Sequence, residues 1–146
     1  MTTQEIEQFL KQQIPLAEAM GIHVRHVDGG SAEVDAPLAP NKNHLDTAFG
    51  GSLNAVLLLA CYTWMFNLLK ARGFSYHVVL KSSQAFYFKA VDSDFTAICR
   101  APAQDVIDRF LKTLEKKQRA QIDLKASVES PAGEHCRIEG IFVAMP

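Results

Sequence analysis

A chain of 146 residues, 48% of them apolar and 21% charged, has the size of one domain and enough apolar content to build a core without metal or disulfide support. Eight glycines and six prolines exclude a collagen-like or disordered chain. Fifteen Lys and Arg against sixteen Asp and Glu leave a net charge of −1, which argues against a general nucleic-acid binder.

No repeat, low-complexity tract or linker interrupts the chain, so one domain over residues 1–146 is expected. The first residues, MTTQEIEQFL, carry acidic side chains where a signal peptide has a basic region and then an apolar run. Thr3–Gln13 reads as a short helix, because Ile6, Phe9, Leu10 and Ile14 recur at helical spacing; Pro15 ends or redirects it. Ile22–Val27 and Ser31–Ala36 flank Asp28-Gly29-Gly30 and predict a hairpin, the second strand alternating Ala32, Val34 and Ala36 against Glu33 and Asp35. Pro37–Phe49 is a loop rich in Pro, Asn and Asp, and it leads into a helix from about Gly50 to Lys70 that Gly73 closes.

Phe49–Leu69 is a run of 21 residues without a charge, close to membrane-spanning length. Gly50, Gly51, Ser52, Asn54, Thr63 and Asn67 interrupt it, and its longest unbroken apolar stretch is Ala55–Tyr62. The expectation is the buried centre of a soluble fold, with no membrane partner. Cys61, Cys99 and Cys136 form no CxxC and have no metal-ligand spacing; they read as reduced, buried thiols of a cytoplasmic protein without a metal site.

Four further strand regions and a helix follow. His77–Val91 predicts a strand with Val78, Leu80, Ser82, Gln84, Phe86 and Phe88 on one face, and Phe95–Ala101 a second with Phe95, Ala97 and Cys99 inward. Gln104–Lys117 is amphipathic through Val106, Ile107, Phe110, Leu111 and Leu114. Gln121–Glu129 alternates Ile122, Leu124, Ala126 and Val128 against polar neighbours; after a turn at Ser130–Gly133, Cys136–Met145 is the last strand. The expected fold class is α+β: a curved antiparallel sheet of about six strands wrapped around the uncharged helix, with an open edge that favours a dimer.

The informative segment is Asn41-Lys42-Asn43-His44-Leu45-Asp46-Thr47-Ala48-Phe49-Gly50-Gly51-Ser52-Leu53-Asn54. A polar loop runs into two glycines that open the most apolar helix. The unpaired N–H groups of a helix start suit a carbonyl oxygen turning into an oxyanion, and the same geometry binds a phosphate. Glycine there lets a ligand approach the backbone, though glycines also serve loops and close packing.

NKNHLDTAFGGSLNAVLLLACY, with the strand pattern after it, resembles the hotdog-fold thioesterases. More narrowly it resembles the thioesterase-like domain found C-terminal to an acetyltransferase-like domain in some bacterial proteins; no acetyltransferase portion is present here. The resemblance implies a hotdog fold, a homodimer or dimer of dimers, and hydrolysis of an acyl thioester at the subunit interface near the start of the central helix. The substrate would be acyl-coenzyme A or an acyl-carrier thioester, with no cofactor beyond the coenzyme A of the substrate. The chain departs from the family pattern at several places. The His that often precedes the Gly-Gly pair is Phe49, and an acid common about eight residues into the helix falls on Leu58. The His-to-acid spacing of related dehydratases, counted from His44, also lands on Leu58, so dehydratase or hydratase chemistry is not supported. Position 46, where the narrower family has Gly, is Asp46.

The catalytic set expected is His44 as base, Asp46 to orient it or to activate water, Asn43, and the N–H groups of Gly50 and Gly51. The substrate-binding set is Asn41, Thr47, Phe49, Ser52, Asn54, Ser82, Ser83 and Gln84. Asn54 lies one turn after Gly50. Ser82 and Gln84 would make a wet pocket on the inner strand face, with Ser83 pointing the other way. Each has a plainer reading: backbone hydrogen bonding for His44, helix-terminal charge for Asp46, turn chemistry for Asn41 and Asn43, and capping for Thr47. The helix's apolar residues and Phe86/Phe88 would hold an acyl chain. The alternatives to an enzyme are a non-catalytic binder of acyl groups or small molecules and a structural oligomerisation module without a pocket.

Overall fold

The computed structural model describes all residues, 1–146. The first helix, α1 (Thr3–Gln13), starts with a reciprocal cap: Thr2 Oγ1 accepts from Glu5 N at 3.1 Å, and Thr2 N donates to Glu5 Oε2 at 3.1 Å. Pro15 ends it and also opens a second, short helix, α2 (Pro15–Ala19), because proline's fixed φ and missing N–H suit a first helical position. The sequence reading has no helix there.

The strands are β1 (His23–Val27), β2 (Ser31–Ala36), β3 (His77–Tyr87), β4 (Phe95–Arg100), β5 (Ala120–Ser130) and β6 (Gly133–Met145). They form one antiparallel sheet in the order β1-β2-β4-β5-β6-β3. The long helix α3 (Gly50–Ala71) follows β2, and α4 (Gln104–Lys117) links β4 to β5. The sheet curves around α3, which contacts all six strands. The inner face of each strand is apolar: Val34 lies opposite Ala97, Ala97 opposite Val128, and Ala126 opposite Ile138. These side chains, the α3 residues and the stripe Ile107, Phe110, Leu111 and Leu114 of α4 belong to one core of 36 buried residues. The polar atoms of α3 that enter it are satisfied locally: Thr63 Oγ1 donates to Leu59 O at 2.7 Å and Trp64 Nε1 to Gly29 O at 3.2 Å. Thus α3 has the length and composition to cross a membrane, yet its own chain buries a little over half of it and all six strands contact it.

The two sheet edges differ. On β1, Glu7 of α1 reaches the free edge: its Oε1 accepts from Val24 N at 2.8 Å and lies 2.8 Å from His23 Nδ1. The other edge, β3, has no neighbour, and Val79 and Tyr87 on it are 40% and 51% exposed.

β3 corrects the sequence reading. A bulge between Leu80 and Ser82 inserts Lys81, and beyond it every side chain changes face. Val78 and Leu80 face inward as expected, opposite Ala144 and Phe142. After the bulge it is Ser83, Ala85 and Tyr87 that face inward, opposite Gly140, Ile138 and Cys136. Ser82, Gln84 and Phe86 are on the outer face, the reverse of the alternation read from the sequence. The strand also ends at Tyr87; Phe88 N and Lys89 N both donate to His135 O, and the chain then leaves the sheet toward the start of α3.

Two outcomes follow from this packing. Phe142 is fully buried, with the Tyr62 ring edge-on at 5.5 Å, so Phe142→Ala should lower the unfolding free energy by about 3–5 kcal/mol, read from urea titration. On the outer face, Glu129 accepts from Arg100 Nη1 and Nη2 at 2.9 and 3.0 Å and from Ser127 Oγ at 2.8 Å. The Arg100 guanidinium first, then the Ser127 hydroxyl, hold its carboxyl down from the ordinary 4.5 to about 2. A depressed carboxyl stabilises the fold above 4.5 and loses that contribution as pH falls toward 2. The pair is partly exposed, so Glu129→Gln should cost no more than about 1 kcal/mol at neutral pH. Its stability should converge with the native chain's over that acid window.

Candidate functional site

Between β2 and α3 the chain folds into a tight, polar loop whose side chains mostly bond to one another. Asn41 closes a 3-10 turn (Ala39–Asn41) and is 1% exposed. Its Nδ2 donates to Met20 O at 2.9 Å and Pro37 O at 2.7 Å, while its backbone O accepts from Phe49 N at 2.7 Å. Asn41 therefore ties the loop to the end of α2 and is enclosed by protein, which corrects its assignment to substrate contact. Asn43 is occupied too: its Oδ1 accepts from Leu45 N at 2.9 Å, Thr47 N at 3.2 Å and Thr47 Oγ1 at 3.2 Å, and its Nδ2 donates to Thr47 Oγ1 at 3.0 Å. Turn chemistry accounts for Asn43 and for Thr47. Neither is free to hold a reactant, and Thr47 is not the helix cap; that position is Phe49, which has no side-chain cap bond.

At the tip stand His44, Leu45 and Asp46, all exposed. Asp46 has φ 60°, the left-handed conformation in which glycine is freest and Asp is tolerated. Its carboxylate meets Lys42 Nζ at 3.2 Å rather than the His44 ring, so an imidazole oriented by Asp46 is not what the loop builds. The His44 imidazole has no hydrogen bond or ion pair within the chain and is open to water.

The loop delivers Gly50 and Gly51 to the head of α3. Phe49 N bonds back to Asn41 O, and Leu53 N to Phe49 O at 3.0 Å, while the N–H groups of Gly50, Gly51 and Ser52 have no acceptor within the chain. These are the orphan donors of a helix start, where the positive end of the helix dipole lies. The exposed Phe49 ring rests on Gly51: a Cβ there would lie 2.5 Å from Phe49 Cε2 and the ring would have to swing aside.

A cavity of about 320 Å³ opens here, with Ala48, Gly50 and Leu53 on one wall and Tyr87–Val91 on the other. Tyr87 donates its hydroxyl to Gly50 O at 3.1 Å, and Ala48 N donates to Val91 O at 2.7 Å, which closes the two walls. Burial pushes the Tyr87 phenol up, so it stays a neutral donor. Behind this segment His135 acts as a clip. Its Nδ1 lies 2.9 Å from Ala90 O, which can only accept, so Nδ1 carries the proton and Nε2 faces the Ser130 hydroxyl at 2.6 Å. Tyr87, Ala90 and His135 escape the sequence reading because one bulge and one strand ending put them here.

The other expected residues separate. Asn54 is half-buried on α3 with no side-chain hydrogen bond, and it stands outside this cavity, whose wall takes Leu53 instead. Ser82 and Gln84 border an outer groove with Asp123, Lys125 and Glu139, which corrects the wet inner pocket. Ser83 faces inward, but it precedes Tyr87 by four residues, about 13 Å along the strand. Phe86 and Phe88 stack at 6.3 Å with the Arg137 guanidinium 4.7 and 5.3 Å from their centroids; Phe86 stands on the outer face, which corrects its expected place on the acyl chain, while Phe88 also borders the cavity at the head of α3. Cys61 is buried against Cys99; that contact, then burial, raises its thiol well above the ordinary range, the opposite of an activated nucleophile. No three His, Cys, Asp or Glu side chains converge as metal ligands would.

Known structures share this arrangement. A protein of unknown function from Chlorobaculum tepidum superposes with TM-score 0.93 at 26% identity, over 98% of this chain and 93% of that one. A protein from Shewanella oneidensis described as a putative thioesterase superposes with TM-score 0.89 at 23% identity, covering 99% and 97%. A mutant thioesterase of Pseudomonas aeruginosa does so with TM-score 0.73 at 14% identity, covering 100% and 95%. These likenesses establish the hotdog architecture. A family model described as "putative thioesterase (yiiD_Cterm)" matches residues 3–146, and the chain belongs to that family.

Proposed function

We propose that this protein hydrolyses an acyl thioester, in the first instance an acyl-coenzyme A, at the head of α3. Family and fold support thioester hydrolysis in general. The observation that carries the finer reading is the set of three acceptor-free N–H groups, Gly50, Gly51 and Ser52, beside a cavity walled by Tyr87–Val91. The thioester oxygen would sit on the N–H groups of Gly50 and Gly51, which bind it more strongly as it becomes an oxyanion. Water attacks the carbonyl carbon and loses a proton to His44, the one loop imidazole open to solvent; the C–S bond breaks and the thiolate leaves with that proton. Asn54, with a free amide one turn into α3, and Ser52 are the polar groups nearest the glycines on the chain. The open edge of β3 supports a homodimer paired through that strand, which would bring a second copy beside Tyr87.

One observation favours a second reading, a non-catalytic acyl-binding module: α3 has no carboxylate from Gly50 to Ala71, and Leu58 is half-buried where many relatives of this fold carry an acid.

The test is thiol release from a panel of short, medium, long and aromatic acyl-coenzyme A esters, with native protein and His44→Ala in parallel. We expect hydrolysis that falls about a hundredfold or more in the variant, with ligand affinity nearly unchanged. Hydrolysis indifferent to His44 would remove it from the mechanism. A folded protein that releases no thiol from any ester would leave the binding module. Gly51→Ala is expected to lower turnover while the melting temperature stays within a few degrees, because the new methyl must displace the Phe49 ring at the oxyanion donors.

A further inference from the structure

A larger cavity, about 710 Å³, runs along a different side of α3. Its floor is Ala55, Leu58, Tyr62, Phe66 and Leu69; Phe9 and Ile14 of the N-terminal helices stand on one bank and residues 74–78, leading into β3, on the other. Hydrophobic residues make up 14 of its 18 lining side chains. The four polar ones are Gln13, Lys70, Ser75 and His77; Lys70 is in the last turn of the helix and Ser75 and His77 follow its C-terminal end. The stretch of wall nearest the thioester site is therefore apolar.

Two features make it more than a surface dip. Its aromatic walls brace one another: Phe9 meets Phe66 edge-on at 5.1 Å, Tyr62 stacks on Phe66 at 6.0 Å, and Tyr62 meets the buried Phe142 edge-on at 5.5 Å. Its line is also continuous with the proposed oxyanion donors. Positions 51, 55, 58, 62, 66 and 69 are spaced three or four apart, so Gly51 heads the same helical face that floors the cavity. From Ala55 to Leu69 that face extends about 21 Å. A carbonyl held at Gly51 N–H lies one helical turn before Ala55, the first residue of the trough floor.

We propose that the cavity takes the aliphatic tail of the substrate, which makes the substrate class a long straight-chain acyl thioester. The inference rests on the thioester reading above and adds the chain that the site selects. Sites of this kind are mostly apolar, within about 300–1,000 Å³, and draw affinity from buried methylenes. Each methylene that leaves water for the trough should tighten binding about fourfold until the trough is filled.

The experiment measures kcat/KM for saturated acyl-coenzyme A esters from butanoyl to palmitoyl, with native protein, Leu58→Trp to block the trough and Tyr62→Leu to alter its wall without blocking it. Binding of the non-hydrolysable palmityl-coenzyme A thioether is measured on the same proteins by displacement of a fluorescent fatty acid. The expected result is kcat/KM rising severalfold per added methylene, mainly through KM. Leu58→Trp should lose at least tenfold on palmitoyl while the butanoyl value holds within about twofold, and Tyr62→Leu should shift the preferred length. Hydrolysis that is flat across the series, or an equal loss on short and long esters, overturns the proposal and leaves the thioesterase reading intact. Absence of hydrolysis sinks that reading instead; the thioether then decides, and binding weakened by Leu58→Trp upholds the trough while no binding overturns it. A Leu58→Trp protein that changes from dimer to monomer on size-exclusion with no chain-length effect would give the trough to a second copy of the chain and overturn the proposal too. If Leu58→Trp does not fold, Tyr62→Leu decides alone: an unchanged length preference overturns the proposal.

Discussion

Everything in this molecule follows from the need to keep water off a helix that is apolar nearly all round. α3 has no charged side chain until Lys70, so no face of it is polar enough to suit water, and a sheet lying flat against it would leave half of it wet. A curved sheet of six strands is the covering this chain makes. The curvature is compatible with the sequence because the inner positions near α3 include small residues such as Ala32, Ala97, Ala126 and Gly140 beside Phe142 and Ile138. α3 itself carries no carboxylate from Gly50 to Ala71.

The loop that precedes α3 is mostly self-referential. Asn41 Nδ2, Asn43 and Thr47 bond to the backbone and to one another, while Asn41 Oδ1 is buried without a partner; the loop leads into Gly50, whose N–H has no acceptor within the chain and which meets the strand wall that Tyr87 closes. His135 and Ser130, from the far hairpin, hold the opposite wall. A rigid support of this type is what electrostatic stabilisation of an oxyanion requires, since donors that had to reorganise would lose most of their advantage.

The architecture was legible in the sequence because it rests on period. The two-residue alternation of Gln121–Glu129 and the amphipathic stripe of Gln104–Lys117 are both present in the structure within a residue or so at their ends. Helix α2 was hidden by reading Pro15 only as a terminator. The inner face of β3 was misread because alternation assumes an unbroken ladder, and nothing in Leu80-Lys81-Ser82 announces a bulge. The site was legible only in part. Gly50 and Gly51 stood out as chemistry-bearing backbone, and they are where free donors gather. The roles of Asn41 and Asn43 turned on which carbonyls lie nearby, a tertiary fact that residue type does not encode. The partner of Asp46 proved to be Lys42, four residues back, a pairing that composition treats as ordinary surface.

Glu7 has a consequence for assembly. By accepting from Val24 N it occupies one backbone donor on the β1 rim of the sheet, while the β3 rim stays open. In terms of valence, a sheet with one open rim could join one other through strand pairing and would then be saturated. A sheet with both rims open would have valence two and could polymerise head to tail without limit. Glu7 thus sets a carboxylate across the rim at which a second strand would otherwise dock.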